Sequence, residues 1–201
     1  MTTRGRKSKP GRITFVGSGP GDPGLLTTRA RTVLANAALV FTDPDVPEAV
    51  LAIVGSELPP TSGPAEAAPQ NDDAAPADTP VATTVPGGAD VRPALGDPTE
   101  VAKLLVHEAR TGVDVVRLVA GDPLSVDSVI TEVSALARTQ AHFEIVPGLS
   151  PGAAVPTYAG LPLGSSHTVA DVRGDVDWAA LAAAPGPLIL HATATHLPEA
   201  A

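Results

Sequence analysis

Short apolar runs alternate along the chain with stretches whose apolar residues recur every three or four positions, which predicts an α/β protein. Ile13 to Val16 is a β-branched and aromatic run suited to a buried parallel strand. It stops at Gly17, and a turn rich in glycine and proline follows (Gly19, Pro20, Gly21, Pro23, Gly24). Leu25, Leu26, Ala30, Val33, Leu34 and Ala37 then fall on one helical face. Ala38 to Thr42 predicts a second strand, ending at Asp43-Pro44-Asp45. Further on, Asp97, Pro98 and Glu100 make a helix start: a cap, a proline in the first turn and a carboxylate three residues after the cap. Val101, Leu104, Leu105 and Ala109 give that helix a core face, and Gly112 ends it. Val113 to Val119 predicts a strand running into Ala120-Gly121-Asp122-Pro123, and Ser128 to Arg138 has helical spacing through Val129, Ile130, Val133, Leu136 and Ala137.

Residues 59–96 break the pattern. Pro, Ala, Asp, Thr and Gly dominate there, too little apolar surface to offset the entropy of ordering, so a mobile loop is expected. Residues 1–11 carry Arg4, Arg6, Lys7 and Lys9 with no apolar segment behind them, which predicts a disordered tail rather than a signal peptide. Composition narrows the function. A formal charge of −9 argues against nucleic acid or an anionic membrane as partner. The absence of cysteine removes disulfides, thiolate metal sites and a cysteine nucleophile. No apolar run is long enough to span a bilayer, and a cytoplasmic protein is the default expectation. Aromatic residues are only 2% of the chain, so the core leans on Ala, Val and Leu.

A strand, a glycine turn and a helix bring bare backbone to a ligand at the carboxyl end of a strand. The spacing Gly17-x-Gly19-x-Gly21 is not a dinucleotide fingerprint, and no Gly-Lys-Ser/Thr follows. Pro20 and Pro23 also withdraw two amide donors, so the turn is poorly equipped for phosphate. Asp43 has two readings: a turn-starting aspartate before Pro44, or a carboxylate placed where open α/β sheets keep their ligands. The remaining candidates are plain ones. His107 reads as a solvated helix flank, and His191 and His196 lack a third metal ligand. Trp178, after Asp175 and Asp177 at a helix start, reads as packing.

The string Val16-Gly17-Ser18-Gly19-Pro20-Gly21-Asp22-Pro23-Gly24-Leu25-Leu26-Thr27 resembles the opening motif of the tetrapyrrole methylases, of the uroporphyrinogen-III C-methyltransferase type. Ala120-Gly121-Asp122-Pro123, Val146-Pro147-Gly148-Leu149-Ser150 and Ala159-Gly160-Leu161-Pro162-Leu163 resemble its later motifs in the same order. The resemblance implies a two-lobe fold, with a first parallel-sheet lobe over 12–118 and a second over 119–201, and S-adenosylmethionine between them. It implies that Pro20, Gly121, Asp122, Ser125 and Ser150 line that cofactor and that Asp43 moves protons. It also implies a tetrapyrrole substrate, a homodimer, and a branch in which such a region precedes a uroporphyrinogen-III synthase domain.

The departures from the family cluster where chemistry would be. No lysine lies between Lys9 and Lys103, where relatives carry a Gly-Lys-Arg segment. Leu124-Ser125-Val126-Asp127-Ser128 replaces a segment with Phe-Gly-Arg, and Ala192 stands for a methionine that packs on the cofactor. The chain also stops soon after Leu190, where relatives continue through further strands, so an incomplete second lobe is expected. Two readings follow: an S-adenosylmethionine-dependent methyltransferase, or a methylase-fold domain that binds or assembles without the reaction.

Overall fold

A computed structural model describes residues 9–56, 83–84, 88–172 and 176–191. They divide into two compact units, Met1–Leu149 and Ser150–Ala201.

The first unit is an open sheet built on five parallel strands: β1 (Ile13–Gly17), β2 (Leu39–Thr42), β4 (Asp90–Pro93), β5 (Val115–Val119) and β6 (Phe143–Val146). A two-residue strand, β3 (Thr83–Thr84), pairs antiparallel to β4 at one edge, giving the order β3-β4-β2-β5-β1-β6. β1, β2 and β5 are buried at every position, as parallel strands covered on both faces must be. Successive side chains therefore serve two cores. Val16, Val40, Val116 and Leu118 meet α1 (Thr28–Ala35) and α2 (Glu48–Leu51) on one face. Ile13, Phe15, Phe41, Val115 and Val119 meet α3 (Pro98–Arg110) and α4 (Asp127–Ala137) on the other. With so few aromatics the fit is made by Val, Ala and Leu, and Phe15 meets Phe143 edge to face at 6.5 Å.

Several expectations shift by one physical step. The stretch 59–96 is not all loop: Asp90–Pro93 is a ladder strand beside β2, with Val91 buried, while 57–82 and 85–87 lie outside the described residues. In the expected tail, residues 1–8 also lie outside them. Gly11, however, is buried and donates its amide to the Ala109 carbonyl at 2.8 Å. Residues 119–149, expected to open a second lobe, belong to the first unit, since β6 pairs with β1 and α4 packs on the sheet beside α3. The first helix starts at Thr28, capped by the Thr27 hydroxyl, because Pro23–Leu25 is a separate 3-10 turn capped by Asp22. In α3 the core face runs through Ala102 and Val106 instead of Leu104, which is 40% exposed.

The second unit holds α5 (Pro151–Tyr158), β7 (Thr168–Asp171), α6 (Trp178–Ala182) and β8 (Leu188–His191), with β7 and β8 parallel. Gly152 lets α5 approach that pair, since a Cβ there would sit 3.0 Å from Val169 Cγ1. Trp178 heads α6 but is 42% exposed, so it is not the packing residue expected; Asp175, Ala192 and His196 lie outside the described residues.

The cap of α3 carries a pH signature. The Asp97 carboxylate accepts from the Thr99 and Glu100 amides, and the Thr99 hydrogen bond above all holds its carboxyl below the ordinary 3.8. A depressed carboxyl adds stability that is complete above its unfolded value and is lost as the pH falls through the folded one. Asp97→Ala is therefore expected to lower the melting temperature at neutral pH. The gap to wild type should close as the pH drops below about 4, measured by thermal melts across the acid range.

Candidate functional site

The helices after β1 and β5 leave for opposite faces of the sheet: α1 packs with Ala30 and Leu34 on one side, α4 with Val129 and Leu136 on the other. β1 and β5 are neighbours, so their carboxyl ends mark the point where an open α/β sheet offers a crevice. Both strands end there in glycine turns, and the turns are joined: Gly19 and Gly121 exchange two backbone hydrogen bonds of 3.1 Å. Both residues have positive φ, +69° and +75°, which only glycine adopts cheaply.

Two more glycines, Gly17 and Gly148, close the junction. A Cβ on Gly17 would lie 2.5 Å from both the Gly121 carbonyl oxygen and the Gly148 nitrogen. A Cβ on Gly148 would run into that same carbonyl. The ends of β1, β5 and β6 thus meet backbone to backbone, and Asp122 Oδ1 pins them by accepting from the Gly148 amide at 3.1 Å.

Many of the amides of these turns are already used. Ser18 donates to Val119, Gly19 and Gly121 to each other, Gly24 to Asp22 and Gly148 to Asp122, while Pro20 and Pro23 have no N–H. The turns also carry Asp22 and Asp122, and Asp43 joins them by accepting from the Ala120 amide through Oδ2 at 3.3 Å. Spent donors and surrounding carboxylates make a poor phosphate cradle. They suit a neutral or cationic ligand held against bare backbone.

The first unit therefore gathers Pro20, Asp43, Gly121 and Asp122 at one end of the sheet. Ser125 ends the 3-10 turn after Asp122, exposed, with its hydroxyl donating to Asp122 Oδ2 at 3.3 Å. Ser150 opens the second unit as the residue before α5, and its side chain makes no capping hydrogen bond there.

Sequence reasoning missed a buried ionic cluster behind Asp43. Arg117, in the middle of β5, is 2% exposed and holds Glu132 of α4 with two hydrogen bonds of 2.9 Å, from Nε and Nη2. The same Nη2 lies 2.6 Å from Asp43 Oδ1, and Nη1 donates to the Leu118 carbonyl at 3.1 Å. Burial is the largest influence on the guanidinium and works to lower its pKa. The Glu132 hydrogen bonds and the charges of Asp43 and Glu132 outweigh it, leaving the pKa above its ordinary value. The signal was present in the sequence. Arg117 interrupts Val115-Val116 and Leu118-Val119, and Glu132 falls between Val129 and Leu136 on the inner face of α4, where Ile130 was expected but is 39% exposed.

An open, mostly parallel sheet with joined glycine turns and an aspartate at its switch point defines an α/β ligand-binding protein of the doubly wound kind. The family is specific. The model of the tetrapyrrole (corrin/porphyrin) methylases matches residues 12–201, and the chain belongs to that family. It is 30% identical to a uroporphyrinogen-III C-methyltransferase of Synechocystis sp., over 99% of this chain and 73% of that protein. It is also 30% identical to siroheme synthase 2 of Aeromonas hydrophila, over 92% of this chain but only 36% of that longer protein. Among solved structures, it is similar to the uroporphyrin-III C-methyltransferase of Thermus thermophilus in complex with S-adenosyl homocysteine. The TM-score is 0.63 and the identity 27%, over 89% of this chain and 69% of that one.

Proposed function

We propose that the chain binds S-adenosylmethionine and transfers its methyl group to uroporphyrinogen III or a closely related tetrapyrrole. The carrying observation is the junction of Gly17, Gly19, Gly121 and Gly148, whose amides are spent and whose rim is acidic. Such a rim disfavours a phosphate ligand and favours the sulfonium of S-adenosylmethionine. That cofactor would supply an electrophilic methyl group, leaving as a neutral thioether when a pyrrole carbon takes the methyl. The protein must hold the ring carbon in line and remove the displaced proton. Asp43 is the proposed acceptor of that proton, and Pro20, Gly121, Asp122 and Ser125 the proposed lining. Ser150 is an assignment from the resemblance alone.

Calorimetric titration with S-adenosyl homocysteine, followed by transfer of labelled methyl to uroporphyrinogen III, tests the reading. Saturable binding and transfer are expected, and Asp43→Asn should keep binding while losing turnover. A folded Asp43→Asn protein working at the native rate would remove Asp43 from the reaction.

The second reading, a binding or assembly domain without the reaction, is favoured by one observation: no lysine lies between Lys9 and Lys103. It predicts binding with no transfer. A synthase domain joined to this region and a homodimer belong to the same proposal and need the full-length protein and its mass in solution to test.

A further inference from the structure

We infer that Arg117 is a positioning residue: tethered by Glu132, it fixes the Asp43 carboxylate at the carboxyl end of β2. The inference rests on the proposed role of Asp43 and deepens it. A buried ion pair is weak support for a fold, because apolar residues of similar volume often serve a core as well or better. Arg117 and Glu132, each 2% exposed in a core of Val, Leu and Phe, therefore call for a further reason.

The geometry supplies one. Glu132 uses both of its oxygens on Nε and Nη2, and the Leu118 carbonyl takes Nη1, so the guanidinium is oriented by a strand and a helix on both sides. What remains of Nη2 faces Asp43 Oδ1, at the point where the chain leaves β2 for Pro44. The other carboxylate oxygen is held by the Ala120 amide, one residue before Gly121 of the joined turns. Asp43 is thus held at both oxygens, by Arg117 of β5 and by the Ala120 amide just after that strand, beside the proposed cofactor turn. One guanidinium serves two carboxylates. Glu132 is sealed in, and Asp43, 19% exposed, is the one that shows a negative charge outward.

The test replaces the tether as a unit, Arg117→Met together with Glu132→Leu, which removes both fully buried charges at once and leaves Asp43 the Ala120 amide and partial access to solvent. Three results are expected, about tenfold faster hydrogen exchange at the Ala120 amide, a kcat about tenfold lower, and an S-adenosyl homocysteine affinity within about threefold of wild type. The melting temperature should be unchanged or higher. In an Asp43→Asn background the same double replacement should cost no further turnover, since Arg117 acts only through Asp43. Glu132→Gln, which keeps the shape and an acceptor, is the second variant if the pair fails to fold; it should show the same pattern at smaller size. Native exchange at Ala120 together with native kcat would overturn the inference and leave the pair as core packing. If wild type transfers no methyl, the methyltransferase reading fails, while the Ala120 exchange still decides the tether.

Discussion

Gly148→Ala is expected to be among the most destabilising single substitutions in the chain, costing about 4 kcal/mol or more. A methyl at this position meets the Gly121 carbonyl and lies 2.9 Å from the carbonyl carbon and Cα of Gly17. These atoms are backbone, so no side chain can rotate away. Relief requires β6 to move off β1 or the Gly121 carbonyl to turn. That carbonyl already accepts the Gly19 amide, so turning it breaks the bridge between the two turns. Gly160→Ala is the control. Gly160 has φ +69° with nothing within 4 Å of an added Cβ, so only the left-handed penalty of about 1–2 kcal/mol applies. Denaturant unfolding of the two variants reads the difference. Gly148→Ala should also lose S-adenosyl homocysteine binding, and an effect no larger than the control would mean that the three strand ends are not locked together.

The order of strands and helices was legible because parallel strands buried on both faces leave unbroken apolar runs, as at Ile13–Val16 and Val115–Val119. Helix starts written in caps, such as Asp97 before Pro98, were legible for the same local reason. β4 was not: Asp90–Pro93 carries two charges and a proline in four residues, and only its place beside β2, with Val91 turned inward, makes it a strand. The unit boundary was also illegible, because pairing between β6 and β1 links residues 130 positions apart and leaves no local mark. At the site, the glycine turns announced themselves through composition. Their joining through Gly19 and Gly121, and the cluster behind Asp43, depend on contacts between distant segments. Charged residues inside apolar patterns, Arg117 and Glu132, were the legible trace of that cluster.

Arg117→Met alone is expected to cost about 3–5 kcal/mol, the penalty for breaking a buried ion pair from one side. Glu132, 2% exposed, would be left buried without either of its two hydrogen bonds. Asp43 suffers less, since it retains the Ala120 amide and partial access to solvent. Glu132→Leu alone should cost less than Arg117→Met, because the stranded guanidinium still has Asp43 and the Leu118 carbonyl. The double replacement should cost least of the three, since it removes both fully buried charges. The four proteins close a thermodynamic cycle, and its coupling energy, read from urea midpoints, should reach about 3 kcal/mol. Single losses that simply add would mean that Arg117 and Glu132 are solvated in solution, and the orientation of Asp43 would then have to come from the Ala120 amide alone.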